Sequence, residues 1–196
     1  MGLARHRDSK PLLPDGIVRL PGPCLFSAAR FTTSPVGPFL AFTVAHPARA
    51  AGRIGWSTTE MIVDRQGARA GVRLAWGFPA EVGKLRWLAK GDRRELVWDD
   101  CDLVISARGR GPRVPLIVPH PDLQHQGDVR VAVPDRMWAR FQPTRVRVHV
   151  PAGDDLAWLA GAHPGALASG VHRVVREAKL PVARPAVRYG DAPSGV

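Results

Sequence analysis

Short runs of β-branched and aromatic residues recur along this chain, and Gly, Pro and Asp positions separate them. Such runs are typical of β-strands joined by turns, because successive side chains of a strand point to opposite faces. We predict strands at residues 25–33, 39–45, 58–64, 94–98, 103–107, 114–118, 129–133, 144–150 and 170–177. Their even spacing favours a mainly β protein, an antiparallel β-barrel or sandwich with few short helices.

The clearest local signal is the segment ELVWDDCDLVIS, in which two apolar runs flank Asp99 and Asp100. This pattern predicts a hairpin that turns at the acidic pair. The chain also contains 19 prolines and 20 glycines, which disfavour long helices. We predict two short helices, one after Pro79, since proline suits the first helical position, and one over residues 155–160.

Length and composition indicate one folded domain. With 196 residues, 45% of them hydrophobic, the chain can bury a single substantial core. We expect a β-barrel domain at residues 21–187, a loosely packed segment at residues 1–20 and a flexible tail at residues 188–196, because both ends are polar or rich in Pro and Gly. No apolar run approaches the roughly 18 residues that cross a bilayer, so we expect a cytoplasmic protein without membrane contact.

The formal net charge of +11 raises the question of nucleic-acid binding. Only four of the 28 basic residues are lysines, and the arginines are spread along the chain, as genomic composition alone would produce. The alternation at Arg145, Arg147 and His149 places three basic side chains on one strand face. We interpret that face as solvated, and a groove for nucleic acid or for an acidic partner is the alternative.

Cysteine and histidine positions suggest no metal chemistry. Cys24 and Cys101 are isolated, which favours two free thiols over a disulfide. His120 and His125 lie near Asp122 and Asp128, but their spacing differs from the i, i+4 pair that binds zinc on a helix. We therefore interpret the segment as a polar surface loop and expect neither a metal nor a cofactor.

Residues 62–87, IVDRQGARAGVRLAWGFPAEVGKLRW, contain the most informative motif. Asp64 is followed nine residues later by Arg73 and then by the turn WGFP at residues 76–79. This segment resembles the signature of the acetoacetate decarboxylase family, in which Gly-aromatic-Pro precedes two lysines. Here those two positions hold Ala80 and Glu81.

The resemblance implies which chemistry has been lost. The first lysine of the family attacks a keto group as a neutral amine, and burial together with the second lysine's charge keeps the ammonium form unfavourable. Ala80 carries no amine, and the charge of Glu81 has the opposite sign to that of the second lysine. The imine step of the family is therefore not expected from this segment.

A second departure from the family lies in the preceding strand. Family members carry Gly-x-Tyr-x-Glu there, and this chain reads Gly37-Pro38-Phe39-Leu40-Ala41, with alanine in place of the glutamate. The resemblance is loose over residues 25–59, close over 62–88, and recurs over 168–185. It implies an acetoacetate decarboxylase-like fold in which both reactive positions are alanine.

The resemblance also implies a binding pocket at the signature turn. Its apolar wall would consist of Phe39, Met61, Trp76 and Phe78, with Glu81 at its edge. Arg73 or Arg30 would face a carboxylate, since a guanidinium binds a planar anion through two hydrogen bonds. The alternative for Arg73 is a structural ion pair, with Asp64 as the expected partner.

The sequence thus leaves three functions open. The first is a binding protein for a small apolar, keto or carboxylate ligand, without imine chemistry and compatible with a homo-oligomer. The second is a decarboxylase or aldolase-type lyase that uses Lys84, which would lie one helical turn beyond Ala80 if Pro79 opens a helix. The third is a basic protein that binds nucleic acid or an acidic partner.

Overall fold

The computed structural model describes residues 1–4, 13–126 and 129–175, and strands dominate that part of the chain. The strands are β1 Gly2–Ala4, β2 Val18–Arg19, β3 Cys24–Phe31, β4 Phe39–Ala50, β5 Arg53–Val63, β6 Ala80–Val82, β7 Leu85–Lys90, β8 Arg93–Trp98, β9 Leu103–Arg108, β10 Val114–Pro119, β11 Asp122–Gln126, β12 Val129–Val133, β13 Asp135–His149 and β14 Gly161–Val175. One α-helix, α1 Gln66–Trp76, and one 3-10 helix, Ala157–Leu159, complete the described elements. The mainly β class is confirmed.

All the described strands belong to one mixed sheet. Its order is β12-β11-β5-β4-β3-β1-β14-β13-β9-β8-β7, with β10 on β13, β2 on β4 and β6 on β5. Most pairs are antiparallel, but β5 pairs in parallel with both β6 and β11. The expectation of a purely antiparallel sheet is therefore wrong at β5. The crossover through α1 returns the chain in the direction of β5, so β6 runs parallel to it.

Helix α1 precedes the signature turn. It ends at Gly77, whose left-handed φ of 70° suits glycine and whose N–H donates to the carbonyl of Arg73 at 3.0 Å. Ala68 and Val72 are its buried residues. The predicted helix after Pro79 is wrong, since residues 80–82 form β6. The second predicted helix is present only as the 3-10 turn at Ala157–Leu159.

Two apolar clusters carry most of the described core. The larger one fills the sheet's interior around the fully buried Phe26, Phe42, Leu96 and Leu103. The smaller one, called here the alanine cluster, lies near α1. Its buried members are Phe39, Ala41, Met61, Val63, Ala68, Val72, Phe78 and Ala80.

The N-terminus differs from expectation. Strand β1 pairs with both β3 and β14, and Ala4 is 1% exposed. Ile17 is also buried, so residues 1–4 and 17 are not loosely packed. The expected tail at 188–196, and the last residues of the predicted domain and of the predicted strand 170–177, lie outside the described residues. Among the described helices, none is long and apolar enough to cross a membrane.

Candidate functional site

Ala41 and Ala80, the two positions that the resemblance singles out, lie in the same buried place. Ala41 on β4 pairs with Val63, and Ala80 on β6 pairs with Met61, so both lie beside the last residues of β5. Their exposed fractions are 1% and 0%. Adjacent strands therefore bring together the two positions that the resemblance singles out.

The side chains that we expected to line a pocket lie together, but they fill the space between them. Phe39, Met61 and Phe78 are buried with the alanines, and Trp76 packs against them half-buried. Phe39 stacks on Phe31 with ring centroids 4.5 Å apart. The members of this cluster cover one another, and they form an apolar core rather than an open binding surface.

Arg73 and Glu81 lie on the outer side of the same turn. Glu81 accepts hydrogen bonds from Arg73 Nη2 at 2.9 Å and from Arg69 Nε at 3.1 Å. The two arginines are one helical turn apart on α1 and so share a face, while strand alternation turns Glu81 away from Ala80. The pair with Asp64 that we expected is wrong, since Asp64 instead accepts the N–H of Leu40 at 2.9 Å.

Arg30 does not join the alanine cluster. It lies exposed on β3, opposite Leu40 on β4. The predicted site therefore divides into a filled apolar part, the Arg73 and Glu81 pair on the outer side of the turn, and Arg30 apart from both.

A cleft opens beside the signature turn, after β6. Its volume is about 500 Å³, and its lining residues are Asp64, Val82, Gly83, Lys84, Leu85 and Asp100. A side chain at residue 83 would meet Ile62 Cγ2 at 2.6 Å and Trp98 Nε1 at 2.7 Å, so the side chains of β5 and β8 leave room there only for glycine.

Lys84 is the charged group that reaches furthest into solvent at this cleft. Its side chain is 82% exposed, and its Nζ lies 3.9 Å from Asp100 Oδ1. Asp100 Oδ2 also accepts the Lys84 backbone N–H at 2.8 Å and Trp98 Nε1 at 3.2 Å. Because the chain is extended here, the expected helical relationship between Ala80 and Lys84 is wrong.

Buried polar residues gather at the other end of β4 and β5. The described residues of this kind are His46, Ser57, Thr58, Asp122, Gln124 and Asp135. His46 pairs with Ser57 across β4 and β5, and Thr58 Oγ1 donates to Asp122 Oδ1 at 3.3 Å. By contrast, a strand length of about six residues, or roughly 20 Å, separates Ser57 from Val63 in the alanine cluster.

The interpretation of residues 118–128 as a polar surface loop is wrong for its central residues. Asp122 is 0% exposed at the start of β11, and His120 Nδ1 lies 3.2 Å from Asp122 Oδ2. Strand β11 pairs with β5 and β12, which explains the burial. His125 Nε2 contacts the carbonyl of Asp15 at 3.0 Å, apart from His120, and Asp128 lies outside the described residues.

Comparison with solved structures identifies the fold. The acetoacetate decarboxylase of Legionella pneumophila superposes with a TM-score of 0.54 at 19% identity, over 87% of this chain and 76% of that one. An acetoacetate decarboxylase-like enzyme from Sphingomonas wittichii RW1 gives 0.58 at 13% identity, over 85% and 82%. The enduracididine biosynthesis enzyme MppR, complexed with pyruvate, gives 0.54 at 15% identity, over 87% and 81%.

These likenesses define the class of protein. The chain has the acetoacetate decarboxylase-like fold, as the signature segment indicated. No known family description matches the sequence, and no curated protein matches it either. At identities of 13–19% the comparisons show the fold alone. An activity has to be argued from the chemistry of the chain's own residues.

Proposed function

We propose that this protein is an acetoacetate decarboxylase-like binding protein that takes a small keto or carboxylate ligand without forming an imine. The observation that carries the proposal is the burial of Ala80 and Ala41 together in a closed apolar cluster. A reactive amine of this chemistry has to be desolvated, and the desolvated place here holds a methyl group.

The amines of the described residues support the same conclusion. Lys84 is 82% exposed, and Lys90 is exposed at the end of β7. Imine chemistry needs an amine in a desolvated place, and neither of these exposed side chains has one. Nothing in the surroundings of Lys84 therefore favours the lyase alternative.

The cleft at Lys84 is the best candidate for the ligand. Val82 and Leu85 offer apolar contacts, and the Lys84 ammonium can bind an acidic group. The carboxylate of Asp100 is already occupied by two N–H groups, which reduces its repulsion of an incoming anion. Pyruvate bound to MppR, a protein of the same fold, supports this class of ligand.

This proposal moves the ligand away from most of the residues that the sequence indicated. Phe39, Met61 and Phe78 belong to the closed core, and Arg73 and Glu81 are paired with each other. The third function also loses support, since Arg145, Arg147 and His149 lie exposed on β13 as an ordinary solvated face, and the described residues give it no groove.

A thermal-shift titration with pyruvate, acetoacetate and short alkyl carboxylates tests the proposal. We expect at least one of these compounds to raise Tm in a saturable manner, because ligand binding to the folded state stabilises it. Lys84→Gln should weaken binding at least tenfold, and Lys90→Gln, which changes an exposed lysine outside the cleft, should leave it unchanged. If Lys84→Gln binds the ligand as tightly as Lys90→Gln, the cleft is not the binding site. If the unaltered protein binds none of these compounds, the proposed function is overturned.

A further inference from the structure

A buried polar group lies where β11 and β13 begin, far from the cleft. His120 directly follows β10, Asp122 is the first residue of β11, and Asp135 is the first residue of β13. The backbone N–H of His120 donates to the carbonyl of Asp135 at 2.9 Å, which fixes the two chain segments side by side. One potential ligand atom from each of the three side chains lies within 4.8 Å of the other two.

The charges of this group are only partly balanced. Both aspartate side chains are 1% exposed, and a buried carboxylate needs a compensating cation. Arg173 on β14 supplies one: its Nε donates to Asp135 Oδ2 at 2.6 Å, and its Nη2 contacts the same oxygen. One arginine faces two carboxylates.

Two buried atoms of the group have no hydrogen-bond partner among the described residues. They are Asp135 Oδ1, which is available to a ligand of this group, and His120 Nε2, which lies on the other side of the ring from the Nδ1 that faces Asp122 and Asp135. An unpaired buried carboxylate oxygen is unfavourable, so such an atom usually has a protein donor, a water molecule or an ion as its partner. The indole of Trp56 stacks on the His120 ring, with centroids 5.5 Å apart and planes 4° apart, and holds the imidazole in place.

We propose that His120, Asp122 and Asp135 bind one divalent metal ion of the zinc type. One imidazole and two carboxylates suit zinc, whereas magnesium prefers a set of oxygens alone. His120 Nδ1 lies 3.2 Å from Asp122 Oδ2 and 3.9 Å from Asp135 Oδ2. Around a tetrahedral zinc ion, neighbouring ligand atoms are about 3.4 Å apart, so small side-chain adjustments close the site.

Arg173 and Thr58 act as outer partners of this site. Arg173 orients Asp135, and Thr58 orients Asp122 through the hydrogen bond to its Oδ1. Outer partners of this kind fix the direction of metal ligands and are common around zinc. The metal would link β11 and β13 directly, and it would link β5 through Thr58 and β14 through Arg173. Because it holds four strands together, its role would be structural.

Metal titration of the chelator-treated full chain tests the site. We expect one equivalent of Zn²⁺ to bind, Mg²⁺ to bind far more weakly, and Tm to rise with added Zn²⁺. His120→Gln and Asp135→Asn should each weaken zinc binding at least tenfold. His149→Gln, which changes an exposed histidine on β13, should leave it unchanged.

Cobalt substitution of the unaltered protein keeps the test independent of how the variants fold. The Co²⁺ spectrum should show visible bands of a nitrogen and oxygen ligand set, without the intense thiolate band that Cys24 or Cys101 would give. Absence of stoichiometric binding would overturn the proposal. So would a thiolate band, or zinc binding that survives in folded His120→Gln and Asp135→Asn.

Discussion

Ala41 and Ala80 belong to one buried cluster because their strand partners, Val63 and Met61, lie two positions apart on β5. In the family that the signature resembles, these positions carry a glutamate and a lysine. The sheet therefore still brings the two positions together, and methyl groups occupy them.

Restoring the amine should restore its reactivity in part. In Ala80→Lys the new amine would be buried, so its pKa should fall from about 10.4 to between about 6 and 8. We expect the added lysine to overpack and loosen the closed cluster, which lowers stability, admits acetoacetate and allows an imine that borohydride traps. Glu81→Lys is the matched control, because its amine would be exposed and should not be trapped. Equal trapping in both variants would show that residue 80 faces solvent.

The alanine cluster should contribute strongly to stability. Phe78 is 6% exposed, and its replacement by alanine should lower the free energy of unfolding by about 3–5 kcal/mol. Ile54 on β5 is 69% exposed, and Ile54→Ala should change the free energy of unfolding by less than about 0.5 kcal/mol. Urea unfolding of both variants measures the difference. A small effect of Phe78→Ala would mean that this region is loosely packed.

The sequence predicted the strands whose apolar residues alternate. Strand β12 has the predicted bounds, and β8, β9 and β10 differ from prediction by one residue each. In these strands, apolar residues and turn residues carry the signal directly. The resemblance at the signature turn then indicated the fold. It led us to expect a pocket where the structure has a closed apolar cluster.

Strand β11 and helix α1 were missed for different physical reasons. The sequence of β11 is DLQHQ, and its buried residues include Asp122 and Gln124, so hydrophobicity does not reveal the strand. Helix α1 contains two glycines and two arginines and buries only Ala68 and Val72, so few apolar residues mark its inner face. Both elements depend on tertiary contacts that a single sequence does not display.

The ion pairs of Glu81 should contribute little to stability and nothing to ligand binding. Arg73 and Glu81 side chains are 44% and 55% exposed, and exposed pairs contribute less than about 1 kcal/mol. We expect Arg73→Ala to lower the free energy of unfolding by no more than that and to leave ligand affinity unchanged. Urea unfolding and the thermal-shift titration measure the two effects. A tenfold loss of affinity would identify Arg73 as a ligand contact instead.

The two cysteines should differ in reactivity. Cys24 is fully buried, and burial raises the pKa of its thiol to about 11, so at pH 8 about one molecule in a thousand carries the thiolate. Cys101 is partly exposed. Iodoacetamide at pH 8 should label Cys101 first and Cys24 only after denaturation, as peptide mass spectrometry can measure. Rapid labelling of Cys24 in the folded protein would contradict its position in the core.

Borohydride trapping of the unaltered protein tests the central claim most directly. The protein is incubated with acetoacetate or pyruvate, reduced, and analysed by intact mass and by peptide mapping. Because Ala80 has no amine and the described lysines, Lys84 and Lys90, are exposed, we predict no adduct under conditions that modify Ala80→Lys. A stoichiometric adduct on Lys84, or on any other lysine of the chain, would contradict the account and establish imine chemistry.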